Sequence, residues 1–206
     1  MAQYFQLHPK DPQPRLLKRA VELVRAGGLM AYPTDSGYAL GCHIGDKGAM
    51  ERIARLRHID ASHNFTLVCR DLSEIATYAK VDDWAYRALK HHTPGPYTFI
   101  LPATREVPRR LQNPKRRTIG IRIPDHRVAQ ALLAELGEPL LSSTLLLPGD
   151  TLPLSDPEEI RERLEHQVEL VIDAGSCAAE PTTVVEFLEG RARVVRQGKG
   201  DSRAFV

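Results

Sequence analysis

Short apolar runs and amphipathic runs alternate along almost the whole chain, and that alternation restricts the fold more than any other feature. Residues 12–28, PQPRLLKRAVELVRAGG, place Leu16, Leu17, Ala20, Val21, Leu23 and Val24 on one stripe, which predicts a helix stopped at Gly27-Gly28. LMAYP (29–33) follows as a strand, then a helix over 46–58 with Asp46 as its cap. FTLVC (65–69) reads as a buried strand, 71–79 and 82–92 as helices, and YTFILPA (97–103) as a strand. TIGIRI (118–123), a helix ended by Gly137, and PLLSSTLLL (139–147) continue the pattern. A helix at 155–167 carries a capping-box pattern, Ser155 with Glu158 three residues on and Pro157 in the first turn. After the strand at 168–173, TTVVEF and ARVVR flank LEGR as a hairpin. Strands that alternate with helices give an α/β class, with at least one antiparallel pair near the end.

A chain of 206 residues, 42% hydrophobic, suits one domain over 1–206 with a sizeable core. The net charge of +2 conceals an uneven distribution. Residues 105–127 carry eight basic side chains against Glu106 and Asp125, a local +6 that leaves −4 for the remainder. Such a patch favours anions such as nucleotides or RNA, although a charge run is also a common solvated loop. Cys42, Cys69 and Cys177 are widely separated and odd in number, which argues against a disulfide framework or zinc site and fits a reducing, cytoplasmic setting. No apolar run reaches the ~20 residues of a membrane span, and MAQYFQLHPK lacks an apolar leader core, so no membrane association is expected.

Common catalytic signatures are missing. The sequence has no GxxxxGK[ST], no GxGxxG after a strand, no HExxH and no GxSxG. What stands out is the way strands end. Thr34, Asp35 and Ser36 follow the strand at 29–33 immediately after Pro33, and Gly37 permits close approach of a backbone. In open α/β sheets ligands bind where strands give way to loops, and these oxygens can accept an ammonium or hydroxyl. They can equally close an Asx or ST turn on the local backbone. Thr98 near the start of a strand, Ser142-Ser143-Thr144 near the end of another and Thr182-Thr183 at the start of a fourth repeat the pattern, each near a proline. Four such termini can line one polar pocket. Arg122 and Arg196 sit in strands and can supply charge for a phosphate, or can be snorkelling edge residues.

Taken in order, YPTDSGYALG, PGPYTFIL, IGIRIPDH, PLLSSTLLLPG and PTTVVEF with VVRQG resemble the YrdC/YciO family, relatives of threonylcarbamoyl-AMP synthase. The likeness spans about 14–200, and HNFTL (63–67) with STLLLPGD (143–150) points to the YciO branch. The resemblance implies a twisted, mixed parallel and antiparallel sheet with helices on its faces, around a basic concave cavity. It implies a reaction that joins threonine, bicarbonate and ATP into threonylcarbamoyl-AMP for t6A modification of tRNA. In that scheme Thr34, Asp35, Ser36 and Tyr38 hold threonine, and Thr98, Arg122, Ser142, Ser143, Thr144, Thr182 and Arg196 hold the nucleotide. Arg57 takes the catalytic cation position. ATP or AMP is then the ligand, Mg²⁺ arrives with ATP, and no resident metal or permanent cofactor is implied.

Two departures qualify that scheme. The synthases carry lysine-x-arginine where this chain reads Arg57-His58-Ile59, and serine-x-asparagine where it has Thr144 and Leu146. A triphosphate under attack concentrates negative charge, so a missing cation and a missing amide weaken transition-state stabilisation. A weak or altered activity follows, hydrolysis of threonylcarbamoyl-AMP being one form of it. The alternative expectations are a non-catalytic module for double-stranded RNA or tRNA, and a regulatory subunit of a tRNA-modifying assembly.

Overall fold

The computed structural model describes residues 1–60, 63 and 65–206. Of the HNFTL stretch, Asn64 therefore lies outside the described residues. The strands are β1 (Gln3–Gln6), β2 (Met30–Thr34), β3 (Gly37–His43), β4 (Thr66–Val68), β5 (Tyr97–Pro102), β6 (Thr118–Arg122), β7 (Leu140–Thr144), β8 (Leu170–Asp173), β9 (Thr183–Leu188) and β10 (Arg191–Arg196). The helices are α1 (Pro14–Arg25), α2 (Lys47–Arg57), α3 (Leu72–Tyr78), α4 (Asp83–His92), α5 (Arg127–Leu136) and α6 (Pro157–Leu164). Among the described residues the ten strands form one sheet in the order β1-β8-β2-β3-β7-β4-β6-β5-β9-β10. The pairs β1/β8, β2/β8, β4/β6 and β5/β9 are parallel, and β2/β3, β3/β7, β4/β7, β5/β6 and β9/β10 are antiparallel. The fold is the mixed α/β sheet expected.

Aspartates set the entry of four of the six helices among the described residues. Asp46, Asp71, Asp82 and Asp156 each accept a hydrogen bond from an amide of the first turn of α2, α3, α4 and α6. The last corrects the expected capping box. Asp156, not Ser155, is the cap of α6, because its carboxylate reaches the Glu158 amide at 3.0 Å, while the Ser155 carbonyl accepts from the Cys177 amide at 3.2 Å. The sequence reading also assigned no strand to β1 or β3. β1 is only four residues long, and β3, GYALGCH, begins in glycine and lacks a clean alternation, so neither carries a strong strand pattern on its own. β7 ends at Thr144 rather than at Leu147, since Leu154 pairs with the Leu145 carbonyl and the chain turns away.

Strand alternation divides the core in two. On one face, α1 and α5 bury Leu17, Val21, Val24, Val128, Leu132 and Leu133 against Met30, Tyr32, Val68, Leu140 and Ile172. On the other, α2, α3, α4 and α6 pack Ile53, Ile75, Leu89 and Ile160 against Leu40, Leu67, Phe99, Leu101, Ile119, Ile121 and Val185. The helices on the first face stop short of the β6-β5-β9-β10 half. There Thr98, Ile100, Gly120 and Val184, which alternate with the buried residues, face a cavity instead of a helix. Among the described residues no helix is long and apolar enough to cross a membrane.

Candidate functional site

The uncovered half-face forms a cavity of about 660 Å³. Its floor carries hydroxyls from three strand regions: Thr66 on β4, Thr98 on β5 and Ser142, Ser143 and Thr144 on β7, with Thr182 at the entry to β9. Gly120 lies in the middle of β6, where a Cβ would stand 2.9 Å from Thr66 Oγ1 and 3.1 Å from the Phe65 carbonyl oxygen. Hydrogen at this position keeps the floor open and the strands in register. Ile100, Leu146, Pro153, Val184 and Val195 give an apolar wall. An apolar wall facing convergent hydroxyls suits a ligand with a ring at one end and a polar group at the other.

Two guanidinium groups and one imidazole supply the ionisable chemistry: Arg57, Arg196 and His63. Arg57 stands at the last position of α2 and donates from Nη1 to Ser143 Oγ at 2.6 Å and from Nε to the Leu146 carbonyl at 3.1 Å. Arg196 ends β10 beside a register shift and donates to the Thr182 carbonyl at 2.9 Å and to Thr182 Oγ1 at 3.2 Å. Thr182 Oγ1 also lies 2.9 Å from Thr98 Oγ1, which links β5, β9 and β10 at the cavity. Neither arginine is ion-paired with a carboxylate among the described residues. Burial, and then the Arg196 charge, lower the pKa of Arg57. Burial lowers that of Arg196 as well. Two cations that line one cavity without a carboxylate in its described lining make a site that gains from an anion. No carboxylate lines the cavity among the described residues, so a Mg²⁺ would enter as part of a nucleotide substrate rather than as a resident ion.

The sequence-derived residues divide into two groups. Arg57, Thr98, Ser142, Ser143, Thr144, Thr182 and Arg196 converge on the cavity. Thr34, Asp35, Ser36, Tyr38 and Arg122 are absent from its described lining. They form a second, closed corner. Thr34 Oγ1 donates to the Gly37 carbonyl at 2.6 Å and accepts from the Ser36 amide at 3.1 Å, which is the local turn the sequence left open as one of two readings. Gly37 makes that turn at φ +115°, a backbone state that side chains rarely adopt. Tyr38 donates to the Gly175 carbonyl at 2.9 Å. Asp35 and Arg122 form an ion pair with each other, with side chains 11% and 8% exposed. Asp35 Oδ2 and Arg122 Nε are nonetheless buried without a hydrogen-bond partner among the described residues. Lys199 Nζ donates to the Asp35 carbonyl and bridges the C-terminal segment to this corner.

His63, Thr66, Gly120 and Val195 belong to the cavity but were not among the sequence-derived site residues. Thr66 follows the same rule as the others, a hydroxyl at a strand end, and was legible on that ground. At the two departures, Leu146 lines the cavity, whereas Ile59 packs against the core and is no part of the lining.

Comparisons with known proteins agree with the fold. The Sua5/yciO/yrdC family model, described as telomere recombination, matches residues 22–198. The YciO protein of Escherichia coli strain K12 is 57% identical over 206 residues, all of both chains. Its crystal structure superimposes with a TM-score of 0.97 over the full length of both. A threonylcarbamoyl-AMP synthase of Chromobacterium violaceum is 32% identical over 184 residues, covering 89% of this chain and 94% of the relative. The structure of P. abyssi Sua5 complexed with L-threonine matches with a TM-score of 0.88 at 23% identity, over 96% of this chain and 58% of that one, a likeness of fold.

Proposed function

The chain belongs to the Sua5/YciO/YrdC family, and from that premise we propose that its cavity binds an adenylate, with synthase chemistry weakened or altered relative to the threonylcarbamoyl-AMP synthases. The observation that carries this reading is the pair Arg57 and Arg196, held over a floor of hydroxyls with no carboxylate in the described lining. A phosphate between them gains charge-assisted hydrogen bonds, while the apolar wall takes the base or sugar. Threonine is the second ligand of the reading, suggested by the L-threonine complex of the P. abyssi relative. Its place beside the Thr34–Ser36 turn requires that turn, now closed on itself, to exchange internal bonds for ligand bonds.

The test has two arms. Calorimetric titration with AMP and ATP measures binding. Incubation with ATP, threonine, bicarbonate and Mg²⁺, followed by analysis of pyrophosphate and adenylate, measures synthesis, and a parallel incubation with threonylcarbamoyl-AMP measures its consumption. The expected outcome is AMP binding with slow pyrophosphate release. An AMP titration without heat or saturation would end the adenylate reading. Replacement of Arg57→Lys, Ile59→Arg and Leu146→Asn together is expected to raise pyrophosphate release, since Leu146 already faces the cavity. Ile59 packs on the core, so the added charge there costs stability and the melting temperature is recorded with the rate.

A second reading concerns the loop after β5. Arg109, Lys115 and Arg117 are exposed there and, with Lys80 from the segment between α3 and α4, line a basic hollow of about 720 Å³; none of the four has a side-chain partner among the described residues. Such a surface suits the phosphates of RNA without reading its bases.

A further inference from the structure

We propose that this cavity uses water as the acceptor of an activated acyl group, with His63 as the general base that takes the proton of a water attacking the carbonyl of an acyl adenylate. The inference rests on the adenylate reading and goes beyond it, because it assigns the reaction's direction and a residue.

The argument is one of elimination among the groups that reach the cavity. Its ionisable side chains, among the described residues, are Arg57, Arg196 and His63. A guanidinium stays protonated and cannot accept a proton. Carboxylates are absent from the described lining, and Asp35, on the closed corner, is ion-paired with Arg122. Several hydroxyls of the floor are occupied. Ser143 receives Arg57 at 2.6 Å, Thr98 and Thr182 bond each other at 2.9 Å, and Ser142 lies 2.7 Å from the Tyr32 hydroxyl and donates to the Leu40 carbonyl. The imidazole is left as the proton acceptor.

Its surroundings suit the role. The His63 ring stands edge-on to Phe65, with centroids 5.8 Å apart and planes at 87°. The charged groups that bear on it are Arg57 from the end of α2 and Asp60 from the following turn, and Arg196 lines the same cavity. Burial, and then the Arg57 charge, lower its pKa, while Asp60 acts in the opposite sense. The ring is thus neutral, the form a base requires, at any pH above its depressed pKa.

The step balances as a hydrolysis. Water oxygen bonds to the acyl carbon as one water proton passes to His63. The bond from that carbon to the phosphate oxygen breaks, and its electron pair leaves with AMP, whose phosphate Arg57 and Arg196 hold. His63 then returns the proton to solvent, and the carboxylic acid formed ionises. No oxidant, reductant or second substrate is needed.

Acetyl adenylate is a suitable probe. The wild-type protein is expected to release AMP and acetate from it. In ¹⁸O-labelled water the label should appear in acetate, not in AMP. His63→Gln is expected to lower the rate by about 100-fold or more, a usual contribution of general base catalysis. The loss should far exceed any loss of AMP affinity measured on the same variant. The wild-type rate should rise with pH through the His63 titration and then level, and His63→Gln should lose that rise. Added imidazole should restore part of the rate to His63→Ala. Label in AMP would overturn attack at the carbonyl, and a His63→Gln rate within threefold of wild type would overturn the base assignment. Failure of the wild type to bind AMP would instead remove the adenylate reading, and this step with it.

Discussion

Arg122 and Arg196 both belong to strands on the same half of the sheet, β6 and β10, yet they meet opposite fates. Arg122 faces Asp35 and is sealed beneath the turn that follows β2. Arg196 leans over the uncovered face and, among the described residues, its side chain bonds to Thr182 oxygens alone. The closed corner uses its polar groups on one another. The open cavity keeps its charge for a ligand. The difference teaches that a cation marks a binding site only where the fold withholds its carboxylate.

The largest effect should come from breaking the corner. Asp35→Ala leaves Arg122 buried and unpaired, and removal of one partner of a buried pair typically costs about 3–5 kcal/mol of stability. Chemical denaturation checks this. The double replacement Asp35→Leu with Arg122→Met should recover much of the loss, and a double variant as unstable as the single one would contradict the pairing. Next comes the cavity. Arg196→Ala is expected to weaken AMP binding by about 1.5–3 kcal/mol, the range of a charge-assisted hydrogen bond. Its melting temperature should move little, because Arg196 lies at the exposed end of β10 and its side chain bonds, among the described residues, to Thr182 alone. Equal affinity in calorimetry would remove Arg196 from the site and blur the contrast.

The exposed basic loop extends the contrast to a third region. Replacing Lys115, Arg116 and Arg117 by alanine should flatten the slope of log RNA affinity against log salt, by roughly one unit for each phosphate the loop no longer holds. Arg116 already pairs with Glu186 at 2.6 Å, so its share should be smaller than those of Lys115 and Arg117. Anisotropy titrations of tRNA and duplex RNA across a salt series measure this. Absence of binding at low salt would leave the cavity as the candidate site.

The smallest effect is a pH dependence centred on the corner. His126 caps α5 by accepting the Val128 amide at Nδ1, 3.2 Å away. Burial lowers its pKa below the ordinary 6.5, with Asp35 raising it and Arg122 lowering it less. The unfolded chain therefore takes the proton first as pH falls. Stability from this residue is complete above pH 6.5 and is lost as pH drops from there through the folded pKa. His126→Asn, which keeps a capping acceptor without titrating, should flatten the acid limb of stability against pH. His63 also has a lowered pKa and contributes in the same sense, so the limb should not vanish entirely.

Much of this fold was legible residue by residue. The stripe at 16–24, the Asp46 cap and the β-branched runs each fix local structure through periodicity and backbone chemistry, and the structure places helices and strands there. β1 and β3 were not, because a four-residue strand and a glycine-led one gain their stability from neighbours rather than from their own pattern. The hydroxyls at 98, 142–144 and 182 were legible as polar ends of apolar strands, and they do converge. That Arg122 would be neutralised and Arg57 and Arg196 would not was beyond local reading. Arg122 meets Asp35 across 87 residues of sequence, and the cavity exists because α1 and α5 leave one half of a sheet face uncovered. Periodicity assigns a side chain to a face. Only the tertiary structure decides what covers that face, and so whether a charge on it finds a partner or waits for one.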